Sequence, residues 1–284
     1  MTHFGKIFKK FRQSRGIKLK DVAKHGLSKS QLSRFERGET DLTIIKFMRA
    51  LQVINMPIDE FMYAVHDFRR DELNELLERI RVYITTRDIL NLKKLLIEQQ
   101  EKIPEHQIFH ELNIILIKIK LQDISGEDSV SEQDIKHLID YLFSVEFWGN
   151  YEILLFANTL DVFNHETFMV LSREMVRRSD FYKEIPNNRR IISTLLLNSY
   201  ITCIERCELM DAVYFEKQLK ACFFIETEIY ERLVFQYAKE LYKLKKTNDT
   251  RSIIEMKKCI AALKLAGSNG LAETFDIHLT KLLK

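Results

Sequence analysis

Apolar residues recur every three or four positions along almost the whole chain, which is the periodicity of amphipathic helices rather than strands. Phe4, Ile7, Phe8 and Phe11 predict a first helix from about Thr2 to Ser14. Leu19, Val22 and Ala23 form the stripe of a short second helix, and His25-Gly26-Leu27 turns into Ser28. From Ser28 to Gly38 the pattern divides sharply: Leu32 and Phe35 fall on one side, and Ser30, Ser33, Arg34 and Arg37 on the other. Ser28 followed three residues later by Gln31 predicts a capping box, and Gly38 suits a left-handed helix stop. Two more helices are expected, about Leu42 to Val53 and Pro57 to His66, with Pro57 placed for a first turn.

Beyond Phe68-Arg69-Arg70-Asp71, a junction without Gly/Ser linker character, the same periodicity continues to the last residues. It predicts helices at about 69–85, 87–101, 104–122, 131–147, 149–162, 165–178, 187–207, 209–224, 226–246, 249–265 and 269–283. Pro104, Ser125-Gly126, Gly149-Asn150, Pro186-Asn187-Asn188, Gly267 and Gly270 punctuate them. Paired as hairpins, the first helices begin near 69, 104, 149, 188 and 226. That period, roughly 35–45 residues, is the one expected of stacked helical hairpins such as tetratricopeptide arrays.

A short helix, a glycine-containing turn and a capped second helix form the helix-turn-helix arrangement, whose second helix fits the DNA major groove. On that reading Lys29, Ser30 and Arg34 reach base edges, while Arg15, Ser33 and Arg37 serve phosphates. Charge supports it. Residues 1–67 carry thirteen Lys/Arg against seven Asp/Glu, a net of +6, whereas the whole chain is only +3. A basic head on a mildly acidic body is the electrostatic footprint of a nucleic-acid module joined to something else.

With 8 Gly and 3 Pro in 284 residues, the composition argues against an all-β or loop-rich fold. The chain has neither an apolar run of membrane-spanning length nor a signal-type apolar core at its start, so a cytoplasmic protein without membrane attachment is expected. Cys203, Cys207, Cys222 and Cys259 lack the His or acidic companions of a zinc pattern and read as buried small apolar residues. Phosphate-binding glycine loops, HExxH, nucleophile elbows and clustered catalytic carboxylates are all missing, so no enzyme, metal or cofactor is expected.

Superposing the repeats aligns Asn113, Asn158, Asn198 and Gln236, each about nine or ten residues into a first helix and set among aliphatic neighbours. A carboxamide both donates and accepts, so one per repeat could hold the backbone of an extended peptide. The alternative is ordinary hydrogen bonding between helices. Phe147, Trp148, Tyr151 and Phe156 would supply apolar pockets, with Tyr200, Phe235 and Tyr237 beyond, although stacked helices bury such a stripe in any case. Arg189 and Arg190 open a helix, where cations are electrostatically misplaced, and could await a ligand carboxylate; Arg79 and Arg81 are similar. Ile253, Ile260, Leu263, Leu271, Phe275 and Leu279 give the terminal helices more apolar surface than a simple cap needs, which suggests a homodimer contact.

The run from Leu27-Ser28 through Glu36-Arg37-Gly38 resembles the recognition helix of the lambda-repressor-like (XRE) family, apart from Lys29 where glutamine is frequent. That resemblance implies a pairing of Arg12 with Glu36. An XRE-type head followed by helical repeats, with Gly149-Asn150-Tyr151-Glu152 through Leu160-Asp161-Val162-Phe163, is similar to the Rgg family of Gram-positive transcriptional regulators. It implies a cytoplasmic homodimer that binds promoter DNA and short imported hydrophobic peptides. The expected fold is all-α: a lambda-repressor-like helix-turn-helix domain over 1–67, then a right-handed helical-hairpin (TPR-like) solenoid over 68–284 that binds peptide and dimerises. A phage- or antitoxin-type repressor would share the head, and a repeat protein that sequesters another protein would share the body.

Overall fold

The computed structural model describes residues 4–24, 26–65, 72–102, 107–179, 186–222 and 226–283. His25 of the predicted turn, the junction Phe68–Asp71 and the break at Pro104 lie outside them. All regular elements among the described residues are helices. The chain divides into two compact units, Met1–Thr86 and Arg87–Lys284.

The first unit holds α1 (Phe4–Ser14), α2 (Leu19–Ala23), α3 (Lys29–Arg37), α4 (Ile44–Val53), α5 (Ile58–Val65) and α6 (Glu72–Thr85). By its contacts α6 belongs with the head, whereas the sequence pattern counts it with the repeats after residue 67. Phe8, Val22, Leu32, Phe35, Phe47, Leu51, Ile54 and Phe61 make one core, to which every helix from α1 to α5 contributes. Its aromatic rings meet edge-on or tilted, Phe47 and Phe61 with centroids 5.0 Å apart and Phe8 and Phe35 at 6.0 Å.

Two features press α1 onto the end of α3. Arg12 donates to both carboxylate oxygens of Glu36, at 2.6 and 2.8 Å, and also to the Ile17 carbonyl at 2.6 Å. Both partners are buried, so the pair predicted from the resemblance is a structural one. Gly5 lets the two backbones touch: a Cβ there would lie 1.7 Å from the Phe35 carbonyl oxygen. The sequence pattern carries no hint of that approach.

Helix α3 starts and stops largely as expected. Ser28 Oγ accepts from the Gln31 N–H at 3.0 Å, and Gly38 closes the helix at φ 77°. The reciprocal half of the predicted capping box is not the bond formed, because Gln31 Oε1 accepts instead from Lys46 Nζ on α4 at 3.1 Å. A tertiary partner outcompetes the local one.

The second unit comprises α7 (Ile89–Glu101), α8 (Gln107–Ser125), α9 (Glu132–Ser144), α10 (Asn150–Ala157), α11 (His165–Arg178), α12 (Pro186–Glu205), α13 (Leu209–Ala221), α14 (Ile229–Thr247), α15 (Arg251–Leu265) and α16 (Asn269–Leu282). α7 packs on α8, and α8 on α9. α12 packs on α13, α14 on α15, and α15 on α16. The first helices α10, α12 and α14 lie side by side in succession, as hairpin stacking requires.

Two predicted helices end early. The stretch 131–147 stops at Ser144, and 149–162 stops at Ala157 before a single 3₁₀ turn, Leu160–Val162. Arg178 at the end of α11 donates to the carbonyls of Phe143 (2.9 Å) and Val145, which closes α9 with a charge instead of further turns. The released segment buries Trp148, whose Nε1 donates to the Leu142 carbonyl at 3.1 Å. Glu152 then starts α10 by accepting the Gly149 N–H at 2.8 Å.

Replacing Arg12 with alanine leaves the Glu36 carboxylate buried without a partner and should cost the head about 3–5 kcal/mol. Gly5→Ala should cost about 1–3 kcal/mol through overpacking against backbone. Urea unfolding of the full-length protein, followed by circular dichroism, should register both as lowered midpoints. A wild-type midpoint for Gly5→Ala would show that α1 docks elsewhere.

Candidate functional site

The outer face of α3 carries the residues expected to meet DNA. Lys29, Ser30 and Arg34 are exposed, while Leu32, Phe35 and Glu36 point into the head. Ser30 Oγ lies 3.2 Å from Ser28 Oγ at the helix start. Arg15 is exposed at the end of α1, its guanidinium lying over the Phe11 ring at 5.6 Å. It therefore reaches solvent from a stacked position.

Arg37 and Ser33, both expected to serve phosphates, are bonded to each other: Arg37 Nη1 donates to Ser33 Oγ at 2.7 Å. The remaining edge of that guanidinium grips Glu39, with Nε and Nη2 at 2.5 and 2.9 Å from the two carboxylate oxygens. Arg34 Nε stands 3.8 Å from the same carboxylate. The Arg37 hydrogen bond holds the Glu39 carboxyl below its ordinary range, and the carboxylate in turn raises the Arg37 guanidinium. Sequence reasoning assigned Glu39 no role. The available signal was an acid two residues after a face that otherwise carries none.

In the second unit the structure scatters the expected peptide contacts between surface and interior. Asn198 is exposed on α12, on a stripe with Thr194 and Arg190 at helical spacing. Asn158 caps α10, half-buried, with its amide N–H donated to the Leu154 carbonyl at 2.8 Å. Asn113 is buried and accepts from the Tyr151 hydroxyl at 3.2 Å, while Gln236 donates to Glu240 at 3.0 Å. Three of the four carboxamides thus bond within the chain, and Asn198 presents itself to solvent.

Trp148 requires correction. It is 0 % exposed, packed edge-on against Phe156 at 5.5 Å, and belongs to the core and not to a groove. Phe156 and Tyr200 are likewise fully buried. Tyr151 remains half-buried beside Phe109, whose ring centroid lies 5.0 Å away and which is itself partly exposed. Burial pushes the Tyr151 hydroxyl well above its ordinary pKa, so it acts only as a neutral hydrogen-bonding group.

Arg190 does not wait for a ligand. Its Nε donates to Glu231 at 2.8 Å, and Arg189 stands 3.6 Å from Glu228, so the misplaced cations of α12 are matched by acids opening α14. Glu231 is 2 % exposed and Arg190 65 %, so the arginine's outer edge still faces water. Arg81 similarly pairs with Glu78 at 2.5 Å.

The cysteines divide. Cys203 and Cys259 are buried, and burial pushes the Cys203 thiol up to about 12, which makes it inert. Cys207, expected to be buried on a helix, is exposed in the turn after α12 at φ 62°. No helix among the described residues is long and apolar enough to cross a membrane.

A small all-helical head presenting a capped, cationic helix, followed by stacked helical hairpins, defines a helix-turn-helix regulator with a repeat domain. Residues 8–61 match the helix-turn-helix family, and residues 93–277 match the C-terminal domain of the HTH-type transcriptional regulator Rgg. The chain belongs to the Rgg family of transcriptional regulators. It is 30 % identical to a cysteine-to-serine variant of the Streptococcus dysgalactiae SHP pheromone receptor Rgg2, covering 98 % of this chain and 99 % of that one with a TM-score of 0.85. A transcriptional regulator structure from Listeria monocytogenes EGD-e shares the fold at 20 % identity, TM-score 0.87, covering 99 % of this chain and 97 % of that one. PrgX in complex with cCF10 shares it at 16 % identity, TM-score 0.75, covering 99 % of this chain and 92 % of that one.

If Arg34 reads a base edge, Arg34→Ala should lower affinity for an operator enriched from random duplexes by about 1–3 kcal/mol and relax specificity at one position. Gel shifts on enriched and random DNA measure this. Wild-type binding to both would remove Arg34 from the interface.

Proposed function

We propose that this protein is a cytoplasmic, homodimeric transcriptional regulator that reads operator DNA through α3 and answers to a short hydrophobic peptide held by its second unit. The observation that carries the reading is the end-to-end likeness to a pheromone receptor at 30 % identity. Within the chain, the basic exposed face of α3 supports the DNA half. The side-by-side first helices of the hairpins, with Asn198 open to solvent on α12, support the peptide half. A carboxamide there can take both a peptide N–H and a C=O, giving affinity without side-chain preference. Selectivity would come from neighbouring apolar and aromatic surface such as Phe109 and Tyr151.

One α3 reads only a half-site, and helix-turn-helix proteins ordinarily bind paired half-sites as two-fold dimers. Ile254, Leu265, Ile277 and Leu283 are exposed on or beside α15 and α16, with Leu265 91 % exposed. They support a contact there, in place of Ile260, Leu263 and Leu279, which pack inward. The peptide can alter transcription only by binding one arrangement of the protein better than another.

Fluorescence polarisation with labelled synthetic peptides encoded by short reading frames flanking the gene tests the ligand. Asn198→Ala should weaken the binding peptide about five- to hundredfold, the equivalent of about 1–3 kcal/mol for an unpaired backbone group. Wild-type affinity in that variant would remove the α12 stripe from the site. Sedimentation at micromolar concentration should show a dimer, and a monomer would refute the assembly.

A further inference from the structure

The clamp on Arg37 has a consequence for the free head. α3 contains a single acid, Glu36, and that one is buried on Arg12, so the helix face itself is uniformly cationic or polar. Glu39 lies just past the Gly38 stop and reaches back to it. Its two oxygens take Nε and Nη2 of Arg37 in a fork, Ser33 takes Nη1, and Arg34 stands at 3.8 Å. The planar fork of a guanidinium matches a carboxylate and a phosphate with the same geometry, so the two compete for the same edge.

Both members of the clamp are about half exposed, Arg37 at 52 % and Glu39 at 47 %. Ion pairs of that exposure are weak in water, so a DNA phosphate can open this one. When it does, the displaced carboxylate stays beside the phosphate backbone and opposes it. We infer that Glu39 stands in for a DNA phosphate in the free protein and restrains sequence-independent binding, leaving base contacts to supply the remaining affinity at a true operator. This rests on the DNA-facing reading of α3.

The test uses full-length protein and a labelled mixed-sequence duplex with no selected site, followed by anisotropy across about 50–200 mM salt. Glu39→Gln should bind about three- to tenfold more tightly at the low end, with the salt dependence steeper by about one counterion. Asp41→Asn, which removes an exposed acid outside the clamp, separates this from a plain change in net charge. An Arg37→Ala background should abolish most of the gain. The inference is overturned if Glu39→Gln gains no more than Asp41→Asn, or if its full gain persists without Arg37. If Arg37→Ala alone binds the duplex like wild type, the DNA-facing reading of α3 fails as well. If Arg37→Ala weakens binding yet Glu39→Gln does not tighten it, only the restraint fails.

Discussion

The buried pair of Arg12 and Glu36 joins the first helix of the head to the end of the helix proposed to read DNA, and the orientation of α3 depends on it. A charge on either side alone would be stranded in an apolar interior, so the two residues are useful only together and only at one register. The bidentate geometry fixes rotation as well as distance, and the third bond, to the Ile17 carbonyl, extends the hold to the segment before α2. Gly5 contributes the same constraint sterically, since no side chain fits between the two backbones there. With the inner face of α3 fixed in this way, its cationic residues are directed outward regardless of their own preferences.

The repeat unit is held by a different device. Side-chain bonds tie each hairpin to the next, and the end of α9 is closed by a residue from the following hairpin instead of by its own last turn. Arg178 seals the end of α9 from α11, and the Tyr141 hydroxyl on α9 reaches Glu152 on α10 at 2.7 Å. Near the C-terminal end, His278 bridges Tyr237 and Glu205, each at 2.7 Å, which ties α16 to both α14 and α12. Such bonds make each hairpin depend on its neighbour, the behaviour expected of a stacked array.

Across both units, polar side chains that look available in the sequence are engaged with one another. Arg37 holds Glu39, Arg190 holds Glu231, Asn113 accepts from Tyr151 and Gln236 donates to Glu240. For the exposed pairs this is weak engagement that a ligand of matching chemistry can replace. For the buried ones it is structural, because a buried polar group without a partner costs more than the bond returns. Exposure, more than residue type, separates the candidates that can meet a ligand from those that cannot.

The sequence alone determined the helical class and placed nearly every helix, because hydrophobic periodicity and Gly, Pro and cap residues act locally. The stretch 165–178 is recovered residue for residue, and the Ser28 cap and Gly38 stop bound α3 as expected. The division of α3 into an inner and an outer face was equally legible, for burial follows the 3.6-residue period. Where a residue's fate depends on what another segment brings to it, the one-dimensional pattern is silent. Gly5 looks like any glycine until the Phe35 carbonyl lies against it, and Trp148 looks like a groove aromatic until Arg178 ends α9 early and the turn folds inward. Asn113, Asn158 and Asn198 share an offset in the sequence, yet they differ in exposure because the hairpins are not identical and each packs against different neighbours. Only the tertiary structure assigns those partners, since burial and pairing are properties of the space between segments.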